Sequence, residues 1–175
     1  MSFEIGVPNV SFQMRVQTDE SPGFAWETKT STDLFKNKKV IVIGLPGAFT
    51  PTCSSTHLPG FDSMYDKILG HGFDDVYCVS VNDSFTMNAW FKQLNIVNVK
   101  PIPDGNGDFT RTLGMLVKKE NLGFGMRSWR YSAIVNNGMI EHIFVEPGLS
   151  DNCETDPFEV SDVFTMMQHL QQHYS

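Results

Sequence analysis

Cys53 ends the segment Pro46-Gly47-Ala48-Phe49-Thr50-Pro51-Thr52-Cys53, between a short apolar, β-branched run and a stretch with helical spacing. A thiol attacks or is oxidised only as thiolate, and a free cysteine with a pKa of about 8.5 is ionised to only a few per cent at neutral pH. Thr50 fits the N-cap and Pro51 the first helical position, which puts Cys53 in the first turn. There the unpaired N–H groups and the helix dipole favour a negative sulfur. A helix end contributes about 0.3–1 kcal/mol, whereas one pKa unit is about 1.4 kcal/mol. Activating this cysteine therefore requires a nearby cation or hydroxyl donor as well. Thr50 shares the helix face three residues away and can supply the hydroxyl. The competing reading is a small buried hydrophobe.

Other reactive side chains are weaker candidates. His57 follows Cys53 by four residues, so a Cys–His pair on one helix face is conceivable; capping or packing is the alternative role. Cys78 lies between Tyr77 and Val79 in an apolar run and reads as a core thiol. Cys153 closes the turn-rich stretch Gly148-Leu149-Ser150-Asp151-Asn152-Cys153. Cys53 and His57 have ligand spacing, but no larger Cys/His cluster stands out, so no metal site is expected. Asp104-Gly105-Asn106-Gly107-Asp108 has the look of a calcium loop, but Phe109 replaces its glycine and Met115 its glutamate, which leaves a turn.

The elements that must position these residues alternate. Val40 to Leu45 reads as a buried strand. Leu58, Phe61, Met64, Tyr65, Ile68 and Leu69 mark a helix running to Gly70 and Gly72, with a kink predicted at Pro59. Asp75–Val81 is the next strand, Phe85–Leu94 the next helix, and a strand follows at Ile102. Tyr131–Val135 and Met139–Val145 flank Asn136-Asn137-Gly138, the signature of a β-hairpin. Ser161–Leu170 closes the chain as a helix. Alternation predicts parallel pairing and the hairpin adds an antiparallel pair, so the fold class is α/β: a thioredoxin-like mixed sheet flanked by helices, one domain over residues 1–175. The carboxyl edge of such a sheet, where Cys53 falls, is where ligands bind.

Composition narrows the function. Of 175 residues, 41% are hydrophobic and 14 are Phe, enough for a packed core rather than a disordered chain. The net charge of −7 and the lack of any Lys/Arg run argue against nucleic acid. Three cysteines are too few, and odd in number, for a secreted disulfide scaffold. The N-terminus from Met1 to Pro8 shows no signal peptide and no run is long enough to span a membrane, so a cytoplasmic protein is expected.

Pro46-x-x-x-Thr50-x-x-Cys53 is similar to the active-site pattern of peroxiredoxins. With Ser54, Thr56-His57-Leu58-Pro59-Gly60 and Ser80-Val81-Asn82-Asp83, it resembles the type 5 subfamily, and Gly123-Phe124-Gly125-Met126-Arg127-Ser128-Trp129-Arg130-Tyr131-Ser132 resembles the members fused to a glutaredoxin domain. The resemblance covers essentially the whole chain. It implies a cofactor-free thiol peroxidase acting on hydrogen peroxide and small organic hydroperoxides. Cys53 would be the peroxidatic thiolate, oxidised to a sulfenic acid. Thr50 would hydrogen-bond thiolate and peroxide, and Pro46 would shield the sulfur. Arg130 falls on the family's arginine and would supply the missing cation; Arg127 fits that position less well. Without a resolving cysteine, glutathione and glutaredoxin would recycle Cys53. With Cys153 resolving, thioredoxin would. A homodimer is implied. The competing functions are a thiol–disulfide oxidoreductase, disfavoured because Thr50 stands where a paired thiol is needed, and a non-enzymatic redox sensor or holdase.

Overall fold

Lys39–Gly44 forms a strand because β-branched residues fill it without interruption, as a strand covered on both faces requires. It sits centrally in the sheet of the computed structural model, which describes residues 5–174. The first residues read for a leader, 1–4, lie outside the described part. In chain order the strands are β1 (Ile5–Gly6), β2 (Ser11–Gln17), β3 (Phe24–Thr30), β4 (Lys39–Gly44), β5 (Asp75–Ser80), β6 (Lys100–Pro103), β7 (Leu116–Lys118), β8 (Met126–Ser128), β9 (Tyr131–Asn136) and β10 (Met139–Val145). The helices are α1 (Ser31–Phe35), α2 (Leu58–Ser63), α3 (Tyr65–Leu69), α4 (Ser84–Gln93), α5 (Asp108–Leu113) and α6 (Val163–His173).

The main sheet has the order β1-β10-β9-β4-β5-β6. β4, β5 and β6 pair in parallel, whereas β9 pairs antiparallel with both β4 and β10. This is the expected thioredoxin-like mixed sheet. The hairpin turns at Asn137 and Gly138, both at positive φ, as the Asn-Gly dipeptide predicts. Period-two alternation splits the core. Ile41, Ile43, Cys78 and Ile134 face one layer with Cys53, Phe61, Trp90 and Met166. Val40, Val42, Tyr77, Tyr131 and Val135 face the other, with Phe109 and Trp129. Gly44 is required where it stands: Tyr131 lies opposite it in register, and a Cβ there would fall 2.0 Å from the tyrosine ring.

Three elements depart from the expectation. The helix after Pro51 is not simply kinked at Pro59. It widens into a π-turn over Cys53–His57, with Leu58 N–H donating to Cys53 O, before α2 begins, and it breaks again at Met64. Proline has no N–H and clashes with the carbonyl four residues earlier; a wider turn just ahead relieves both. The Asp104–Asp108 stretch is a turn as read, but it leads into α5. Asp104 is 3% exposed and its carboxylate accepts from the N–H groups of Phe109 and Thr110. That commits it to capping. The hairpin β2–β3 was not foreseen, because in Phe24-Ala25-Trp26-Glu27-Thr28 the alternation puts the large apolar residues Phe24 and Trp26 on the exposed side.

Candidate active site

β4 ends at Gly44, and Leu45 to Thr50 carry the chain over the carboxyl edge of the sheet. Asn82, just after β5, holds this loop: its side-chain oxygen accepts from Ala48 N–H at 2.9 Å and from the Ser80 hydroxyl at 2.6 Å. Gly47 carries no side chain because a Cβ there would lie 2.3 Å from Arg127 Nη1. Phe49 takes a left-handed φ of 66° and exposes its ring. Helical backbone starts at Pro51, which puts Cys53 in the first turn as the sequence predicts.

Cys53 is fully buried. Arg130, one residue ahead of β9 and 1% exposed, donates from Nη2 to Cys53 Sγ at 3.6 Å. Unit charges about 4 Å apart interact by about 4 kcal/mol at an effective dielectric near 20, several times what a helix end gives. The guanidinium thus outweighs the helix end as a source of positive potential at the sulfur. Its Nη1 donates to His57 Nδ1 at 3.0 Å, and His57 Nε2–H donates to Ser161 O at 3.1 Å. Burial and the Arg130 charge push His57 down to about 3, so the ring is neutral in this tautomer. His57 therefore orients the arginine, and its ring nitrogens are both committed away from the sulfur.

Three further residues surround the guanidinium. Asp156 accepts from Nη2 with both carboxylate oxygens, at 2.9 and 2.7 Å. Phe158 places its ring 5.4 Å from Arg130 Cζ and 5.1 Å from His57. Glu146, 1% exposed, accepts from the N–H groups of Glu159, Val160 and Ser161 and from the Ser161 hydroxyl. Its own N–H donates to Arg130 O at 3.1 Å. The loop that carries Asp156 and Phe158 is thereby fastened to the arginine's backbone. Sequence reasoning passed over Glu146, Asp156 and Phe158. A buried carboxylate bonding to backbone leaves no periodic signal.

The other sequence candidates fall as follows. Thr50 lies beside the site, but its hydroxyl donates to Gly47 O at 2.7 Å, so in this arrangement the proton points away from Cys53. Pro46 is buried, and its carbonyl accepts from Arg127 Nη1 at 3.4 Å. Arg127 also bonds Phe124 O, and among the described contacts it reaches no sulfur. Cys78 is fully buried on β5, in the same core layer as Cys53, and burial pushes its thiol well up. Cys153 is free and half-buried, and it packs against the opposite core layer. Its hydrogen bonds to Thr155 draw its thiol down.

The Redoxin family model matches residues 14–163. A peroxiredoxin of Synechocystis sp. is 54% identical over 94% of this chain and 88% of its own length. The chain is a peroxiredoxin. A hybrid peroxiredoxin of Haemophilus influenzae is 51% identical over 94% of this chain and 64% of the hybrid, in line with the resemblance of Gly123–Ser132 to fused members. The crystal structure of a Plasmodium falciparum antioxidant protein, described as a 1-Cys peroxiredoxin, superposes with a TM-score of 0.91 at 38% identity, covering 97% of this chain and 99% of that one. The peroxiredoxin fold and a thiol peroxidase activity follow. Among the described residues, no helix is long and apolar enough to cross a membrane.

The depressed His57 has a consequence for stability. The unfolded ring titrates near 6.5 and the folded one at about 3, so the fold binds fewer protons. This stability is complete above pH 6.5 and is lost as the pH falls towards 3. By pH 5 the loss reaches about 2 kcal/mol. Chemical denaturation at pH 7 and 5 checks this: His57→Gln, which keeps a donor and an acceptor, should lose about 2 kcal/mol less over that interval than the parent.

Proposed function

We propose that this single domain reduces hydrogen peroxide and small organic hydroperoxides through Cys53. The carrying observation is the buried Arg130 guanidinium, 3.6 Å from the Cys53 sulfur. Cys53 thiolate attacks the terminal peroxide oxygen: an S–O bond forms and the O–O bond breaks. The leaving oxygen takes a proton and departs as water or alcohol, and Cys53 is left as sulfenic acid. Arg130 stabilises the charge that develops on the leaving oxygen. Thr50 rotates its hydroxyl from Gly47 O to the incoming peroxide, and Pro46 keeps bulk water from the sulfur.

Recycling proceeds without a protein disulfide in this reading. Glutathione condenses with the sulfenic acid to give a mixed disulfide and water, and glutaredoxin with a second thiol returns Cys53 to thiol. Two observations support it. Cys153 packs against the core layer opposite Cys53, and the relatives at 51% and 38% identity carry the descriptions hybrid and 1-Cys. A reducing compartment such as the cytoplasm suits this cycle. The second reading, a Cys53–Cys153 disulfide reduced by thioredoxin, is favoured by the lowered thiol of Cys153. A homodimer fits as well, because Phe49, Leu122 and Met126 expose apolar surface on the segments that Arg127 ties together near the site.

Intact mass spectrometry after one equivalent of hydrogen peroxide, with peptide mapping, should show one added oxygen at Cys53 and a glutathione adduct when glutathione is present. A loss of two hydrogens mapped to Cys53 and Cys153 would instead establish the thioredoxin route, and an unchanged Cys53 would sink the peroxidase assignment. Arg130→Met should slow peroxide reduction by about 10²–10³ in stopped-flow, the usual cost of one preorganised electrostatic donor; an unaltered rate would remove Arg130 from the mechanism. Light scattering of the reduced protein should give twice the 19.7 kDa chain mass, and a monomer mass would refute the dimer.

A further inference from the structure

One nitrogen of Arg130 is shared. Nη2 carries two hydrogens, yet three acceptor atoms lie within reach: Cys53 Sγ at 3.6 Å, Asp156 Oδ2 at 2.7 Å and Asp156 Oδ1 at 2.9 Å. Nη1 is committed to His57. The sulfur and the carboxylate therefore compete for the same donor, and at these distances the carboxylate holds the stronger claim. The burial of the two partners is unequal, 1% exposure for the Arg130 side chain against 40% for Asp156. The carboxylate thus reaches in from a surface loop to the buried cation.

That loop is fixed on both sides of Asp156. On one side, Asn152 N–H donates to Lys118 O, and Asn121 bonds to Asn152 and Cys153. On the other, Glu146 gathers the N–H groups of residues 159–161. Phe158, two residues on, covers the guanidinium face. The loop on either side of Asp156 is thus held by its own anchors, while the carboxylate itself bonds to Arg130.

We propose that Asp156 is a positioning residue for the peroxidase reaction, holding Arg130 in the plane that serves the transition state and limiting how far the guanidinium collapses onto the resting sulfur. The inference rests on the reading of Cys53 as nucleophile and Arg130 as its cation. Without the carboxylate, both Nη2 hydrogens turn to the sulfur and the ground-state ion pair tightens. An interaction that stabilises the ground state as much as the transition state accelerates nothing. Thiolate nucleophilicity also falls with basicity at a slope of about 0.4–0.5, so a tenfold gain in thiolate stability costs about threefold in rate. The guanidinium is then no longer aimed where the leaving oxygen develops charge. Ionisation and reactivity must move in opposite directions, which simple damage to the fold does not produce.

The test combines two readouts: the pH midpoint for alkylation of Cys53 by iodoacetamide, and the second-order rate with hydrogen peroxide well above that midpoint. Asp156→Asn should lower the midpoint and slow peroxide reduction about three- to tenfold, and Asp156→Glu should restore both towards the parent. The half-exposed position makes these variants compatible with folding. In an Arg130→Met background, or Arg130→Lys should the methionine variant fail to fold, Asp156→Asn should shift the midpoint much less. A midpoint that stays or rises in Asp156→Asn overturns the proposal, and so does an equal shift in both backgrounds, which would mean a direct field from the carboxylate. An Arg130→Met midpoint equal to the parent's would instead overturn the assignment of Arg130 as the cation.

Discussion

A guanidinium buried to 1% exposure is the constraint around which the site is arranged. Arginine does not give up its proton, so the protein must surround the charge with partners or lose several kcal/mol. Each partner found here serves that need: Cys53 sulfur, His57 Nδ1, the Asp156 carboxylate and the Phe158 ring. Only one of them, Cys53, is the nucleophile of the proposed reaction. A cation that must be neutralised, facing a sulfur that gains from being negative, would give the cysteine that chemistry. The neutrality of His57 follows from the same source, since a second positive charge beside Arg130 in a buried site is strongly disfavoured.

The helix around Cys53 is shaped by Pro59. A regular α-helix from Pro51 onward would meet a missing N–H and a steric clash at the proline. The π-turn over Cys53–His57 absorbs both and sets the relative rotation of Cys53 and His57. Ser54 is fixed in that turn by Trp90 Nε1–H at 2.9 Å. Cys53 faces Arg130 Nη2 and His57 faces Nη1, so the two residues grip the two ends of one guanidinium. A wide turn, costly on its own terms, is held because the arginine bonds to both of its ends.

How much of this was legible in the sequence depends on the kind of signal. β4, β5 and the β9–β10 hairpin were readable, because short apolar runs between turn residues and an Asn-Gly turn are local and redundant. The position of Cys53 in a first turn was readable from Thr50 and Pro51, although the Thr50 hydroxyl turned out to donate to Gly47. The requirement for a nearby cation or hydroxyl donor was deduced from magnitudes, but the assignment of a cation to Arg130 rested on family resemblance; nothing in the spacing ties residue 130 to residue 53. Glu146, Asp156 and Phe158 were illegible for a stronger reason. Their roles arise from a 17-residue irregular segment folding back on the site, and such loops have no period. Short elements such as α5 and β7 were lost because a few residues cannot display one.

The same closure that protects the nucleophile constrains its recycling. Cys53 is fully buried, so a tripeptide thiol or a partner protein needs a larger opening to meet its sulfur than a peroxide does. On the proposed cycle a thiol would reach the oxidised cysteine only if the π-turn opened, and the side-chain bonds that close it are few: Trp90 to Ser54, Arg130 to Cys53 and to His57, and His57 to Ser161. Two of the four run through His57. The rest of the frame stays in place, because Glu146 binds the Asp156 loop to the backbone of Arg130 independently of the turn. Were Cys53 to swing out, Arg130 would lose its sulfur and could keep Asp156, so the buried cation would still have a counter-ion. The carboxylate that shares Nη2 with the sulfur in the closed state would then be the one that neutralises the cation in the open state.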